Sequence, residues 1–288
     1  MISIAVHNGK EEYVPLLQNF LKSVLACNTY PDIELILIES AGNDNVRSWM
    51  DSIDFDSAFV NFDGTETSIE KKPGVEIKKT CLFIDYPDDL PWFTCYQDAV
   101  RESLRISTGE YFVFVAEDNQ FVTDTLGSCI AIIDKMGKEQ SMVSLSTVPR
   151  YKYLKANNQR RKAIEGSEYF ECTNTKWDPT YVCHKDIYAR LGPMALSDST
   201  NQHRPIEYLS KRARKIGAKR YFLAMAPNVW CEENDKKRNV STISKATAGD
   251  PDFLLFRPKT VDQMRMIYES LYRSQNMPID TNFFQGQV

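Results

Sequence analysis

Three apolar runs in the first half of the chain each stop on residues that bind ligands. Ile2–Val6 ends on His7 and Asn8, Ile33–Ile38 ends on Glu39, and Tyr111–Val115 passes Ala116 into Glu117-Asp118-Asn119. Short apolar runs bounded by polar turn residues read as buried strands. In an open α/β sheet, ligands bind at the carboxyl ends of such strands. Carboxylates gathered there repel one another and resist desolvation unless a cation joins them. A hard divalent ion, Mg²⁺ or Mn²⁺, held by one or two carboxylates and by a ligand's phosphates, removes both penalties. It would also neutralise charge developing on a diphosphate leaving group. One acidic tripeptide after a strand equally makes a solvated turn, so the chemistry depends on the three strand ends meeting.

The elements that must position these residues follow from periodicity. From Glu12 to Cys27, Val14, Leu17, Leu21, Val24 and Leu25 recur at helical spacing. Pro31-Asp32 precedes the second strand, and Ala41–Asp44 is turn chemistry opening a short helix near Val46–Met50. Phe59–Phe62 reads as a third strand, Asp63–Lys79 as an inserted polar loop, and Cys81–Ile84 as a further strand. Pro91–Ile106 is helical in pattern, with Gly109 as its expected C-cap. Leu126–Met136 reads as helix, Met142–Leu145 as strand and Pro149–Gly166 as a long basic loop. A strand at Tyr181–His184, a short helix to Gly192, a helix over Ile206–Ile216 and a strand at Tyr221–Ala224 follow. Val261–Arg273 has the spacing of an amphipathic helix. Strands alternating with helices predict an α/β fold with a mixed, mostly parallel, Rossmann-like sheet.

Composition excludes several classes. The seven cysteines are scattered, odd in number and without a C-x-x-C pair, which argues against a disulfide framework and against a zinc knuckle. No segment reaches the ~20 consecutive apolar residues that span a bilayer. Met1–His7 runs into polar Asn8–Glu12 without a signal-peptide pattern, so a cytoplasmic protein is expected. Residues 1–144 carry 11 Lys/Arg against 24 Asp/Glu, and residues 145–245 carry 20 against 10. A partner drawn by charge would therefore be anionic and would meet the second half; a basic solvated face is the alternative.

The pieces taken together resemble the GT-A glycosyltransferases, in particular the family 2 group. The resemblance is carried by Ser3–Asn8 with its following helix, by Tyr30–Asp44, by Ser107–Asn119, and more weakly by Val182–Gly192 and Ile206–Phe222, in the family's order. It covers roughly residues 2–225. It implies a GT-A domain over 1–245, with a nucleotide-sugar-binding half (1–119) and an acceptor-binding half (120–245), followed by a helical extension (246–288). It implies a nucleotide-diphosphate sugar as donor and inverting transfer to an acceptor hydroxyl. Asp118 stands where the D-x-D motif has its principal metal ligand, for Mn²⁺ or Mg²⁺, with Asn119 and Glu117 as helpers. Glu39 stands where the family's acidic residue contacts base or ribose. His7 and Asn8 lie on the donor side, and Arg101, on the helix before the metal strand, is a candidate for the diphosphate. Glu207 is the expected general base, with Asp198 in reserve.

Two departures stand out. Ala116 occupies the first position of D-x-D, and Val229-Trp230-Cys231-Glu232-Glu233 lacks the histidine that completes the metal site in many relatives. They favour an alternative reading, a non-catalytic relative binding nucleotide or glycan. A nucleotidyltransferase fits less well, because His7-Asn8-Gly9-Lys10 has a single glycine to cradle a triphosphate. The basic loop, with Arg150, Lys152, Arg160 and Arg161 interleaved by Tyr151 and Tyr153, reads as a flap over the donor or a polyanion surface. On the second view the acceptor is a phosphorylated glycan, a lipid-phosphate, or DNA bearing a hydroxylated base.

Overall fold

The computed structural model describes residues 1–68, 71–86, 92–117, 119–121, 124–145, 162–164, 167–172, 180–191, 213–223 and 228–229. Strand β1 (Ile2–Asn8) leads through a 3₁₀ turn (Glu11–Tyr13) into helix α1 (Val14–Cys27), whose first turn carries a proline where a missing N–H costs nothing. Strand β2 (Asp32–Glu39) and helix α2 (Asp44–Ser52) follow. The Asn43 side chain caps α2 by accepting from the N–H groups of Asn45 and Val46. Among the described residues, strands β3 (Phe59–Val60) and β4 (Glu66–Thr67) pair with each other alone, so the expected strand at Phe59–Phe62 belongs to a two-stranded ribbon rather than to the main sheet.

Strand β5 (Glu76–Phe83) is longer than the sequence pattern suggests, and the expected loop over Asp63–Lys79 gives up its last four residues to it. Helix α3 (Trp92–Ile106) returns the chain to strand β6 (Tyr111–Ala116). Then come β7 (Gln120–Phe121), α4 (Leu126–Met136), β8 (Ser141–Ser144), β9 (Lys162–Ile164), β10 (Ser167–Cys172), β11 (Tyr181–His184), α5 (Lys185–Leu191), β12 (Lys219–Leu223) and β13 (Asn228–Val229). Of the helix expected over 206–216, only residues from 213 onward are described, and the expected C-terminal helix lies outside the described residues.

The main sheet runs β5-β2-β1-β6-β11-β8-β12-β10-β9. Pairs β2/β5, β1/β2, β1/β6 and β8/β12 are parallel, and β11 lies antiparallel between β6 and β8. The mixed, mostly parallel sheet is the expected architecture. Alternation sends Ile4, Val6, Leu35, Leu37, Val113 and Val115 into one layer, packed with α1, α2 and α4. Ala5, Ile36, Ile38, Phe112 and Phe114 enter the opposite layer with α3 and α5. No helix among the described residues is long and apolar enough to cross a membrane.

At the opposite, amino edge the layers are pinned by a buried carboxylate. Glu34 accepts from Ser3 Oγ at 2.6 Å and from Thr108 through N at 2.8 Å and Oγ1 at 2.9 Å, with Lys78 Nζ at 3.4 Å. Gly109 is not the left-handed C-cap expected, since it is absent from the glycines of positive φ. It is glycine because a Cβ there would stand 2.5 Å from Ser3 Oγ and 2.7 Å from Ser3 N. Its own N–H donates to Ser3 Oγ at 2.9 Å.

Candidate active site

Chain order and sheet order together locate the site. From β1 the chain steps outward to β2 and β5, then α3 carries it back to β6 on the other flank of β1. The order reverses between β1 and β6, and such a switch point opens a crevice at the carboxyl ends of the strands. Register brings Asn8 beside Glu39 and His7 beside Ala116. Three of the expected ligand-bearing ends therefore adjoin.

His7 Nε2 lies 2.7 Å from Ser40 Oγ, and the His7 ring sits against Tyr96 and Phe114, each 6.3 Å away between centroids. Asn8 is fully buried. Its Nδ2 donates to the Lys10 carbonyl at 3.0 Å, whereas its Oδ1 finds no donor among the described residues. An orphaned buried acceptor costs about 1–3 kcal/mol and marks a place where a donor group is wanted.

Glu39 occupies the expected strand end, but its carboxylate serves the protein's own turn. It is fully buried, and Oε1 accepts from the N–H groups of Ala41 at 2.7 Å and Asn43 at 3.3 Å. Oε2 accepts from Arg47 Nε at 2.6 Å. A carboxylate has about four acceptor positions, so three of them are taken before any ligand arrives. Arg47 also reaches the Ile84 carbonyl at 3.4 Å and Asp85 Oδ1 at 2.5 Å. Asp85 and then Glu39 hold its guanidinium above the usual arginine range. Sequence reasoning missed Arg47. The signal was an arginine three residues into a helix that follows a buried acid, where the first turn folds back over the strand end.

At the end of β6, Glu117 is buried, and the Ala116 carbonyl accepts from both the N–H and Nδ2 of Asn119, at 3.2 and 3.0 Å. Ala116 thus contributes its backbone to the turn. Beyond the turn, β7 is fixed to α1: the Phe121 N–H donates to Ser23 Oγ at 2.9 Å, and the Phe20 and Phe121 rings pack 6.0 Å apart. β13 pairs antiparallel with β7, placing Val229 opposite Gln120. The first residue of the stretch without the late histidine, Val229, is therefore joined to β7.

Arg101 is not gathered with these groups. Its side chain is 71% exposed and pairs with Asp98 and Glu102 on its own helix. Asp118, Asp198 and Glu207 lie outside the described residues, as do residues 230–233 and residues 146–161, while the end of the expected basic loop Pro149–Gly166 contributes β9 (Lys162–Ile164). Among the described residues no three His, Cys, Asp or Glu side chains form a metal cage. The donors flanking Asp118 in sequence, Glu117 and Asn119, are oxygen ligands, the type that suits Mg²⁺ or Mn²⁺.

No family model matches the chain, and no curated protein matches it in sequence. Solved structures similar to it include S. aureus TarS residues 1–349, at 12% identity and TM-score 0.48, over 95% of this chain and 72% of that one. Another is the mannosyltransferase PcManGT from Pyrobaculum calidifontis in complex with GDP-Man and Mn²⁺, at 15% identity and TM-score 0.45, over 94% and 69%. Against the longer S. aureus TarS structure the identity is 13% and the TM-score 0.48, and the chain spans 45% of that protein's length.

Proposed function

We propose that the chain is a GT-A glycosyltransferase, moving a sugar from a nucleotide-diphosphate donor to an acceptor hydroxyl. The observation that supports this reading is the register that sets Asn8 beside Glu39 and His7 beside Ala116 at adjoining strand ends, on the segments that resemble the family. On this reading Asp118, helped by Asn119 and Glu117, holds Mg²⁺ or Mn²⁺. The ion, when bound, offsets charge on the departing nucleoside diphosphate. His7 and the unpaired Oδ1 of Asn8 bind the donor, while Glu39 acts through the turn that it holds. Glu207, or Asp198 in its place, takes the proton from the acceptor as the new glycosidic bond forms, giving inversion at the anomeric carbon. The surplus of Lys and Arg over 145–245 supports an acceptor bearing phosphates, as glycan, lipid-phosphate or DNA.

A second reading, a binding protein without transferase activity, is favoured by Ala116, which brings no carboxylate to the strand end that faces His7. Thermal denaturation with UDP-GlcNAc, UDP-glucose and GDP-Man, with Mn²⁺ or with EDTA, separates the readings. Ligands that bind only the folded state raise the midpoint. The enzyme reading expects a Mn²⁺-dependent rise with at least one donor that Asp118→Asn removes, and slow release of nucleoside diphosphate from that donor. A rise with no release, unaffected by EDTA or Asp118→Asn, supports the binding protein. No rise with any donor counts against both.

A further inference from the structure

Arg47 stands apart from every role that the proposed reaction assigns, yet it links the ends of two strands beside the site. Its Nε is 2.6 Å from buried Glu39 at the end of β2. Its Nη2 contacts the Ile84 carbonyl and Asp85, just past the end of β5. Its guanidinium also lies 5.5 Å from the centre of the Phe83 ring. Glu39 in turn fixes the N–H groups of Ala41 and Asn43, and the same turn presents Ser40 Oγ to His7. An uninterrupted path of contacts thus runs from β5 through Arg47, Glu39 and the 40–43 turn to the ring at the end of β1.

We propose that Arg47 is a positioning residue of the donor site, its guanidinium fork clamping the ends of β2 and β5 and so setting where Ser40 holds His7. The inference rests on the reading of these strand ends as the donor site. Arginine supplies directed donors from separate nitrogens of a rigid planar fork; lysine keeps the charge but gathers its three donors on one nitrogen. The Arg47 side chain is 17% exposed and Glu39 is fully buried, so that arm of the fork is shielded from the screening that weakens exposed pairs, whereas Asp85 is 78% exposed.

The test follows the ring signals of the chain's three histidines by NMR, with the His7 signal identified through His7→Asn. His184, paired with Glu110 and Asp186 at the amino edge of the sheet, is the internal control. In Arg47→Met the His7 signal shifts while that of His184 stays in place. Arg47→Lys shifts it partway, because charge alone does not restore the fork. Dissociation constants for UDP or GDP with Mn²⁺ rise about tenfold or more in Arg47→Met, as expected for misplaced contacts. A His7 signal unchanged in both variants, or His7 and His184 moving together, overturns the proposal. Should Arg47→Met fail to fold, Arg47→Lys decides by the same signals. Wild-type protein that binds neither nucleotide overturns the donor-site reading, and the His7 signal still judges the clamp.

Discussion

His7 Nε2 stands 2.7 Å from the hydroxyl of Ser40, joining the side chain at the end of β1 to the first residue beyond β2. The backbone repeats the connection, since the Ser40 N–H donates to the Asn8 carbonyl at 3.2 Å. The adjacent carboxyl ends of β1 and β2 are therefore coupled twice, before any ligand contributes.

Ser40→Ala keeps the backbone bond and removes the side-chain one. A single hydrogen bond of this kind contributes about 0.5–1.5 kcal/mol. The expected outcome is a loss of that order in urea denaturation and a several-fold weaker nucleotide affinity by calorimetry. Equal affinity in variant and wild type would show that the His7–Ser40 contact does not shape the donor site.

Glu34 gives the protein a specific sensitivity to acid. Burial pushes its carboxyl upward, but the Ser3 hydroxyl, the Thr108 N–H and hydroxyl, and Lys78 together outweigh this and leave it below its ordinary value of 4.5. A group with a depressed folded pKa stabilises above the unfolded value, and the contribution is lost as pH falls through the folded one. Wild-type stability should fall below about pH 4.5 with a component absent from Glu34→Gln. The variant should already be less stable near neutrality, by about 1–3 kcal/mol, because a charged acceptor is replaced among donors that fit it. Parallel pH profiles of the urea midpoints for the two proteins would contradict the assignment.

Two glycines should respond in opposite directions. At Gly109 an added methyl meets the Ser3 backbone, which has no room to yield, so Gly109→Ala is expected to destabilise by about 1–3 kcal/mol. At Gly127, in the first turn of α4, a Cβ meets nothing within 4 Å, so Gly127→Ala should stabilise, by less than the roughly 1 kcal/mol that separates the two residues in a helix interior. Differential scanning calorimetry of both variants checks the signs.

Legibility in the sequence followed burial. Strand β6 and helix α4 stood out because both are buried on the faces that their periodicity marks, and β11 because its short apolar run is enclosed. The first half of β5 did not. Among the described residues it pairs with β2 alone and is half-exposed, so Glu76, Lys78 and Lys79 break the apolar pattern without breaking the strand. Gly109 was legible as a required glycine, though the requirement is close approach to Ser3 rather than backbone handedness. For Glu39, the strand end could be found from the run Ile33–Ile38, but its occupant could not. Whether a carboxylate faces a ligand or an arginine eight residues later depends on how the intervening turn folds.

The most direct measurement is a crystal structure with UDP or GDP and Mn²⁺. The expected result is a diphosphate at the carboxyl ends of β1 and β6, the cation on Asp118, and a nucleoside hydrogen bond to Asn8 Oδ1. Nucleotide bound elsewhere on the protein, or Asp118 turned away from the crevice between β1 and β6, would contradict it.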